Sequence, residues 1–272
     1  MSEKVFTDIY MLNSWGCKET ASGSSSTVAR TTELRSQIPM LIEKLNIKSI
    51  LDCGCGDFNW MKHVDLSNVQ YLGVDIVNKM ISRNQEMYTK SNIRFQITDV
   101  IYDPPETADL WIARDICCFY GYSEIKKFFQ KFLESNSSYL AITSIQTEQE
   151  NINGTTGIWR SLNLAAAPFH LSTSYTNMKD DKQWFREKVL QVYKREHIAA
   201  CPLLGIFIQE DTNIHVPLSA VEDSSGPSEQ QGQHDQSKEK DPNSHLKNNI
   251  SLRDVKLPGQ LQGQLPKPKK SA

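Results

Sequence analysis

The stretch KSILDCGCGDFNW, residues 48–60, decides the fold of this 272-residue chain. Its apolar run around Ile50 and Leu51 predicts a buried strand, and the strand breaks at Gly54 and Gly56. Two glycines let the backbone turn tightly and approach a ligand closely, because no β-carbon intervenes. Taken alone, this loop fits a dinucleotide site, a nucleoside site or a simple turn. The surrounding sequence has to separate these alternatives.

Apolar runs and helical patterns alternate downstream of this loop. Helices are expected near 77–88 and 123–134, between runs that are nearly continuous in apolar residues. This alternation is typical of a parallel sheet with helices on both faces, whose ligands bind at the carboxyl ends of the strands. A late strand is also expected at 188–193, and a further one over Cys201–Gln209. The five main strands are predicted at 48–53, 69–75, 93–97, 108–113 and 139–143.

Acidic residues stand where these strands end. Asp75 follows Asp52 by 23 residues, a position from which a carboxylate accepts hydrogen bonds from two ribose hydroxyls. The alternative for Asp75 is a cap on the helix that begins near Asn78. Asp99 ends the third strand, where it would accept from the amine of adenine, and Asp115 follows the fourth. The sequence therefore predicts a nucleoside-bearing ligand at this edge of the sheet.

The glycine loop also separates classes of nucleotide. A dinucleotide fingerprint needs a third glycine, and Asn59 occupies that position. Asp52 would repel a pyrophosphate, whereas it suits a sulfonium cofactor whose amino-acid end carries a cationic amine. There is no GxxxxGK[ST] motif for a nucleoside triphosphate. A nicotinamide dehydrogenase is therefore disfavoured.

With these features, the sequence resembles the class I S-adenosylmethionine-dependent methyltransferases. The motifs that carry the resemblance are LDCGCGD at 51–57, GVD at 73–75, TDV at 98–100 and DLWIARD at 109–115. The resemblance implies an α/β fold, a Rossmann-like, doubly wound, mostly parallel seven-stranded sheet. It also implies S-adenosyl-L-methionine as the cofactor and methyl transfer as the activity.

Roles follow for individual residues. Asp115 is expected to face the transferred methyl group, as the catalytic residue; its alternative is a salt bridge with Arg114 or a helix cap. The segment after the fifth strand can lie over the cofactor pocket, and there Trp159, Arg160 and Asn163 are expected to contact the substrate, Trp159 with a stacking face and Arg160 with an anion donor. The alternative is that Trp159 packs on the core and Arg160 pairs with a surface acid. The residues expected to bind the cofactor are Asp52, Gly54, Gly56, Asp75, Ile76, Asp99 and Val100.

The chain looks, more narrowly, like a small family of this class. Its elements here are WG at 15–16, SGSSS at 22–26, CGDFNW at 55–60 and GIWRSLNL at 157–164, followed by Pro168-Phe169. Phe119 stands where that family has a histidine. If the histidine serves as a general base, Asp115 is the remaining candidate in this chain.

Three regions are expected. Residues 1–46 form an N-terminal cap with a helix over Thr31–Leu45, predicted from the spacing of its apolar residues. Residues 47–210 form the Rossmann-like domain. Residues 211–272 are rich in Gln, Ser, Lys, Asp and Pro and are expected to be a disordered polar tail.

Composition bounds the remaining alternatives. The formal net charge is −2, which lacks the basic excess of a dedicated nucleic-acid binder. The longest apolar stretch is too short to span a membrane, and no secretory signal is visible, so we expect a cytoplasmic protein. The six cysteines have no spacing typical of zinc, and buried, reduced thiols with no metal are expected.

The acceptor has no motif of its own. The balanced charge favours a small-molecule acceptor. The acceptor group that we expect is a hydroxyl, either of a small molecule or of a saccharide. An alternative function is a catalytically inactive cofactor-binding protein that acts as a regulatory partner, which the residue Phe119 and the long tail motivate. The oligomeric state is open.

Overall fold

The computed structural model describes residues 2–146, 150–171, 174–180 and 188–205, all of which fall in one compact unit. The predicted tail, 211–272, lies outside the described residues. Within them, seven strands form one sheet in the order β3-β2-β1-β4-β5-β7-β6. The strands are β1 (Ser49–Cys53), β2 (Gln70–Asp75), β3 (Ile93–Ile97), β4 (Leu110–Ala113), β5 (Tyr139–Ile145), β6 (Thr176–Lys179) and β7 (Lys188–Lys194).

The strand order places β1 and β4 side by side at the centre. Strands β3, β2, β1, β4 and β5 run parallel, while β7 is antiparallel to β5 and β6 is antiparallel to β7. Every residue of β4 is buried, as are four of the five in β1, which is expected of strands covered on both faces. The predicted doubly wound, mostly parallel seven-stranded sheet is confirmed.

Helices cover both faces of the sheet. Helix α4 (Tyr122–Glu134) buries Ile125, Phe128, Phe129 and Phe132, an i, i+3, i+4, i+7 stripe, in one core cluster. Helices α2 (Thr32–Leu45) and α3 (Asn78–Tyr88) pack into the cluster on the other face. Helix α1 is Ser2–Met11, and the short α5 is Arg195–Ala199. The helix predicted from Thr31 begins one residue later and ends as predicted.

One predicted strand is wrong where the structure describes it. Pro202–Gly205 form a short 3₁₀ turn rather than part of a strand over 201–209, because proline cannot donate to a strand ladder. All six cysteines, which lie in the described part of the chain, carry free thiols, and five of them are buried. Among the described residues, no group of three or more His, Cys, Asp or Glu side chains is placed to hold a metal ion. No described helix has the length and apolar character needed to cross a membrane.

Candidate functional site

A cleft opens at the carboxyl ends of the parallel strands. It encloses about 810 Å³ of empty space, part of it open to solvent. Its floor comes from the loops after β1, β2, β3 and β4, and its roof comes from the N-terminal segment. Asp115 lines this cleft. Six of the seven predicted cofactor residues line it too: Gly54, Gly56, Asp75, Ile76, Asp99 and Val100.

The glycine loop lies directly against the N-terminal segment. Gly56 has a φ of +58°, and a β-carbon on it would stand 2.1 Å from Ser22 Oγ. Asp57 holds the two segments together: it accepts hydrogen bonds from Thr20 Oγ1 at 2.8 Å, from the Ala21 amide at 2.8 Å and from Ser22 Oγ at 3.0 Å. Glycine at position 56 therefore leaves room for Ser22 of the N-terminal loop.

Asp75 reaches the cleft from the end of β2. Its carboxylate accepts hydrogen bonds from the amides of Gly56 at 3.2 Å and Val77 at 3.0 Å. Burial raises the pKa of Asp75 to about 6, although these amides act to lower it. The acid thus bridges the glycine loop and the start of α3, while retaining acceptor capacity toward the cleft.

Asp99 is held by its own loop. Its Oδ1 accepts from the Ile101 amide at 2.9 Å, and its amide donates to Asp103 Oδ2 at 2.8 Å. Partial burial raises the pKa of this carboxyl. Val100 and Ile76 add apolar surface to the same part of the cleft. The geometry suits a flat apolar ring with a polar edge.

Asp52 does not line the cleft. It is 3% exposed, and it accepts a 2.6 Å hydrogen bond from the Tyr71 hydroxyl inside the sheet. Burial raises the pKa of Asp52 to about 7, against the effect of that hydrogen bond. The prediction that Asp52 contacts the cofactor directly is not supported by this geometry, because its carboxylate is buried in the core and bonded to Tyr71.

A buried network of four charges stands behind Asp115. Arg114 donates to both oxygens of Asp180, from Nε at 2.9 Å and from Nη2 at 3.0 Å. Lys188 Nζ lies 2.6 Å from Asp115 Oδ2 and 3.4 Å from Asp180 Oδ2. Arg114 Nη1 lies 3.4 Å from Asp115 Oδ2. Two cations and two anions therefore meet where β4 and β6 end and β7 begins.

Asp115 is held in a fixed position by this network. Its backbone is left-handed, with φ 59°, and its amide donates to Thr143 Oγ1 at 2.7 Å. Burial acts to raise the pKa of Asp115, but Lys188 and Arg114 outweigh burial and lower it to about 2. Among the described residues its Oδ1 is buried without a hydrogen-bond partner. Asp115 is thus an ionised acceptor at neutral pH and a weak base.

Aromatic side chains form the roof of the cleft. Phe6 packs on Phe119 and Tyr120, with ring centroids 6.2 and 5.7 Å apart. Trp15 packs on Phe119 at 5.5 Å. Tyr10 lines the same surface. Phe119, which occupies the position where the resembling family has histidine, is therefore part of an apolar wall.

The three predicted substrate residues lie away from the cleft. Arg160 donates from Nε to the Ile152 carbonyl at 2.6 Å and from its amide to the Cys118 carbonyl at 2.9 Å. The amide of Asn163 donates to Asn151 Oδ1 at 2.8 Å. Trp159, 39% exposed, is not among the cleft-lining residues. The direct substrate role expected of these three is not supported by their position, because none of them lines the cleft, and the bonds of Arg160 and Asn163 hold the segment 150–171 in place.

That segment backs the roof instead. The Gly157 amide donates to the Phe119 carbonyl at 2.9 Å, and a β-carbon on Gly157 would stand 2.3 Å from Val5 of α1. Residues 150–171 thus support the roof from behind, while α1 takes the position expected for a substrate wall.

Sequence reasoning missed two groups of site residues. The roof residues Phe6, Tyr10 and Trp15 had a usable signal, since Phe6 and Tyr10 are four apart on one helix face and Trp15 precedes a glycine. Asp180 and Lys188 carry no signal in the sequence, because nothing near them distinguishes them from other charged residues. Their proximity to the site depends on the pairing of β7 with β5.

In sequence, the chain matches the profile of a methyltransferase-domain family. Its profile matches residues 46–192, which are 147 of the 272 residues. No curated protein matches the chain by sequence. The matched span runs from the end of α2 into β7, so it contains all the loops that line the floor of the cleft.

Solved structures show the same fold. Magnesium protoporphyrin IX methyltransferase of Synechocystis PCC 6803, with bound SAM, has a TM-score of 0.51 at 13% identity and covers 72% of this chain and 97% of that chain. Phosphoethanolamine N-methyltransferase 1 of Haemonchus contortus has a TM-score of 0.50 at 14% identity, over 71% of this chain and 48% of that one.

A third structure is similar to the same degree. Mitomycin 7-O-methyltransferase has a TM-score of 0.50 at 10% identity, over 64% of this chain and 55% of that one. The chain spans about half to two thirds of the length of several other matched methyltransferases, at 65%, 52% and 66%. At these identities the likeness shows the fold alone.

Proposed function

The chain belongs to the methyltransferase-domain family, and from this premise we propose that it is an S-adenosyl-L-methionine-dependent methyltransferase acting on a small-molecule acceptor. The observation that carries the proposal is the cleft itself. Residues from four consecutive strand ends, Gly56, Asp75, Asp99 and Asp115, line one cavity. A cavity of this kind is where open α/β sheets bind their ligands.

The residues of the cleft fit the proposed cofactor. Asp75 has acceptor capacity left for the two ribose hydroxyls, and Asp99 with Val100 offers a polar edge and an apolar face to adenine. Gly54 and Gly56 line the cleft without side chains of their own, and Asp115 brings an ionised carboxylate to the cleft edge. When bound, the cofactor supplies an activated methyl group on a sulfonium that leaves as a neutral thioether.

The role of the chain is then alignment and electrostatics. Methyl transfer is an in-line displacement, so holding acceptor and methyl group at attack distance accounts for much of the rate. The aromatic roof excludes water and packs against an apolar acceptor body. Asp115, fixed by Lys188 and Arg114, orients polar groups in the cleft instead of removing a proton.

The low basicity of Asp115 restricts which acceptor atoms the site can serve. The hydroxyl acceptor favoured by the composition has to lose a proton, and a carboxylate with a pKa of about 2 accepts one poorly. Among the described residues that line the cleft there is no histidine. We therefore extend the proposal to acceptor atoms that need no base, such as an uncharged nitrogen.

Calorimetric titration with S-adenosylhomocysteine and with NAD tests the cofactor. We expect the first to bind and the second to give no heat, and Asp75→Asn to weaken the first by roughly tenfold through lost ribose hydrogen bonds. Binding of NAD in place of S-adenosylhomocysteine would contradict the proposal.

Transfer of labelled methyl to fractionated cell extract tests catalysis. We expect the wild-type chain to label a small-molecule fraction and Asp115→Ala to label it much less. A protein that only binds the cofactor would pass the calorimetric test, but it would label nothing above the variant.

A further inference from the structure

A second cavity opens beside the cleft and shares Tyr10 and Ala21 with it. It encloses about 1090 Å³ of empty space, part of it open to solvent. We call it the basic groove, because four of its lining side chains are exposed cations: Lys18, Lys62, Lys79 and Arg83.

Three separate parts of the chain supply these cations. Lys79 and Arg83 are four residues apart on α3, so they project from the same face of the helix. Lys62 lies in the short 3₁₀ turn 61–63 after the glycine loop, with its Nζ 5.8 Å from the centre of the Tyr88 ring. Lys18 comes from the N-terminal loop. The fold alone brings the four together.

The acids of the groove are held in internal hydrogen bonds. Asp57 accepts from Thr20, Ala21 and Ser22, as described above. Glu19 Oε1 accepts from the Val28 amide at 2.6 Å and from Asn59 Nδ2 at 2.8 Å, and these bonds lower its pKa. Four cations against these two acids leave the lining with an excess of two positive charges. Such an excess in a concave surface attracts anions.

Resting on the proposed function, we propose that the basic groove is an anion subsite for the methyl acceptor, which holds a phosphate group while the reacting end of the acceptor enters the cleft. Lysine and arginine are the usual ligands of phosphate. Tyr10 and Ala21 line both cavities, so the groove lies directly beside the cleft. The cations converge on one cavity instead of forming an extended stripe, which favours a small phosphorylated molecule over a nucleic acid.

A calorimetric titration of the full chain with inorganic pyrophosphate tests the groove directly. We expect wild-type protein to bind, and Lys79→Gln with Arg83→Gln to weaken binding at least roughly tenfold, since two charge-assisted contacts are lost. The control is Lys126→Gln with Lys131→Gln on α4, which lies on the other face of the sheet and removes the same charge. Affinity should fall as ionic strength rises.

Three outcomes of this titration overturn the proposal. They are absence of pyrophosphate binding by the wild type, equal weakening in the α3 and α4 variants, and a single-stranded oligonucleotide that binds more tightly than pyrophosphate. None of them depends on methyl transfer, so the groove and the proposed function fail separately.

The labelled-methyl assay tests the link to the acceptor. We expect the labelled material to bind an anion-exchange resin and to lose that binding after phosphatase treatment. The α3 double variant should raise KM with kcat nearly unchanged, because the subsite binds a part of the acceptor that does not react. Label in an uncharged fraction overturns the proposal, and if no fraction is labelled the pyrophosphate titration decides it alone.

Discussion

Asp115 illustrates how neighbours define a residue. A carboxylate beside a cleft is usually considered a candidate base, but Lys188 at 2.6 Å and Arg114 at 3.4 Å keep this one ionised. Its left-handed backbone is unfavourable for a residue other than glycine and is maintained by the surrounding bonds. Such fixed conformations are frequent where a side chain must hold one orientation for function.

Lys188→Met should destabilise the protein by about 3–5 kcal/mol at neutral pH, because it leaves a buried carboxylate without its closest cation. Lys194→Met on the same strand should cost less than about 1 kcal/mol, because Lys194 is 40% exposed and its ion pair with Glu196 is 3.8 Å long. Urea unfolding of both variants makes the comparison. Addition of Asp115→Asn to Lys188→Met should recover part of the loss, and a single-variant loss no larger than that of Lys194→Met would contradict the network.

Gly56→Ala should cost more than Gly16→Ala, although both glycines have nearly the same backbone conformation, with φ +58° and +62°. A β-carbon on Gly16 meets no atom within 4 Å, whereas on Gly56 it meets Ser22 Oγ. We expect about 1 kcal/mol for the strain alone at Gly16 and a further 1–3 kcal/mol from overpacking at Gly56, both measured by urea unfolding.

A second substitution checks the cause of that difference. Ser22→Gly in the Gly56→Ala background removes the side chain that the new β-carbon would contact. It should therefore restore most of the excess loss, and S-adenosylhomocysteine affinity should recover with it. If stability does not recover, the clash with Ser22 is not the reason why glycine is needed here.

Among the elements, those with strong periodicity could be predicted and those that depend on a partner could not. Helix α4 buries a regular apolar stripe, and β3 alternates apolar and polar residues over Ile93–Ile97, so both were predictable almost to the residue. Strand β6, Thr176–Lys179, is short and polar, and it is a strand only because β7 offers it a ladder. Helix α5 has only five residues, which are too few to show the periodicity of a helix in the sequence.

The same distinction applies to the site. The glycine loop and the strand-end acids are local signals, and the sheet places most of them in one cleft. Asp52 points into the core, where it accepts the hydrogen bond of Tyr71 from β2, and a contact between two strands is not visible in the local pattern of either one. The basic groove draws on residues from 18 to 83 and was likewise invisible in a chain of nearly balanced charge.

Helix α1 contacts the domain through Phe6, whose ring packs on Phe119 and Tyr120. Phe6→Ala removes both of these contacts, each worth about 0.5–1.5 kcal/mol. We expect hydrogen exchange of the α1 amides to accelerate severalfold and S-adenosylhomocysteine affinity to fall, because the cleft loses part of its roof. Met11→Ala, whose side chain is 54% exposed at the end of the same helix, should leave both unchanged. Unaltered exchange in Phe6→Ala would show that α1 is held by other contacts.

For the whole molecule, the pH dependence of stability should reflect the acid buried in the sheet. The pKa of Asp52 is about 7 in the folded protein against an ordinary value of 3.8, so the folded chain keeps a proton that the unfolded chain releases. Stability therefore falls as pH rises between about 4 and 7, and it stays at the lower level above that window. Asp75, with a pKa of about 6, acts in the same direction.

Asp52→Asn isolates the contribution of this one acid. The amide keeps an acceptor for the Tyr71 hydroxyl but carries no charge, so the variant should lose less stability than wild type between pH 5 and pH 8. Between pH 5 and pH 8 the wild type should lose roughly 2.5–3 kcal/mol more than the variant, because about two of the pKa units between the ordinary value and the raised value lie in this range and each corresponds to about 1.4 kcal/mol. Urea unfolding at pH 5, 6.5 and 8 measures both proteins. Parallel pH profiles for the two would mean that Asp52 is charged in the folded protein at little cost, and that the hydrogen bond from Tyr71 compensates for its burial.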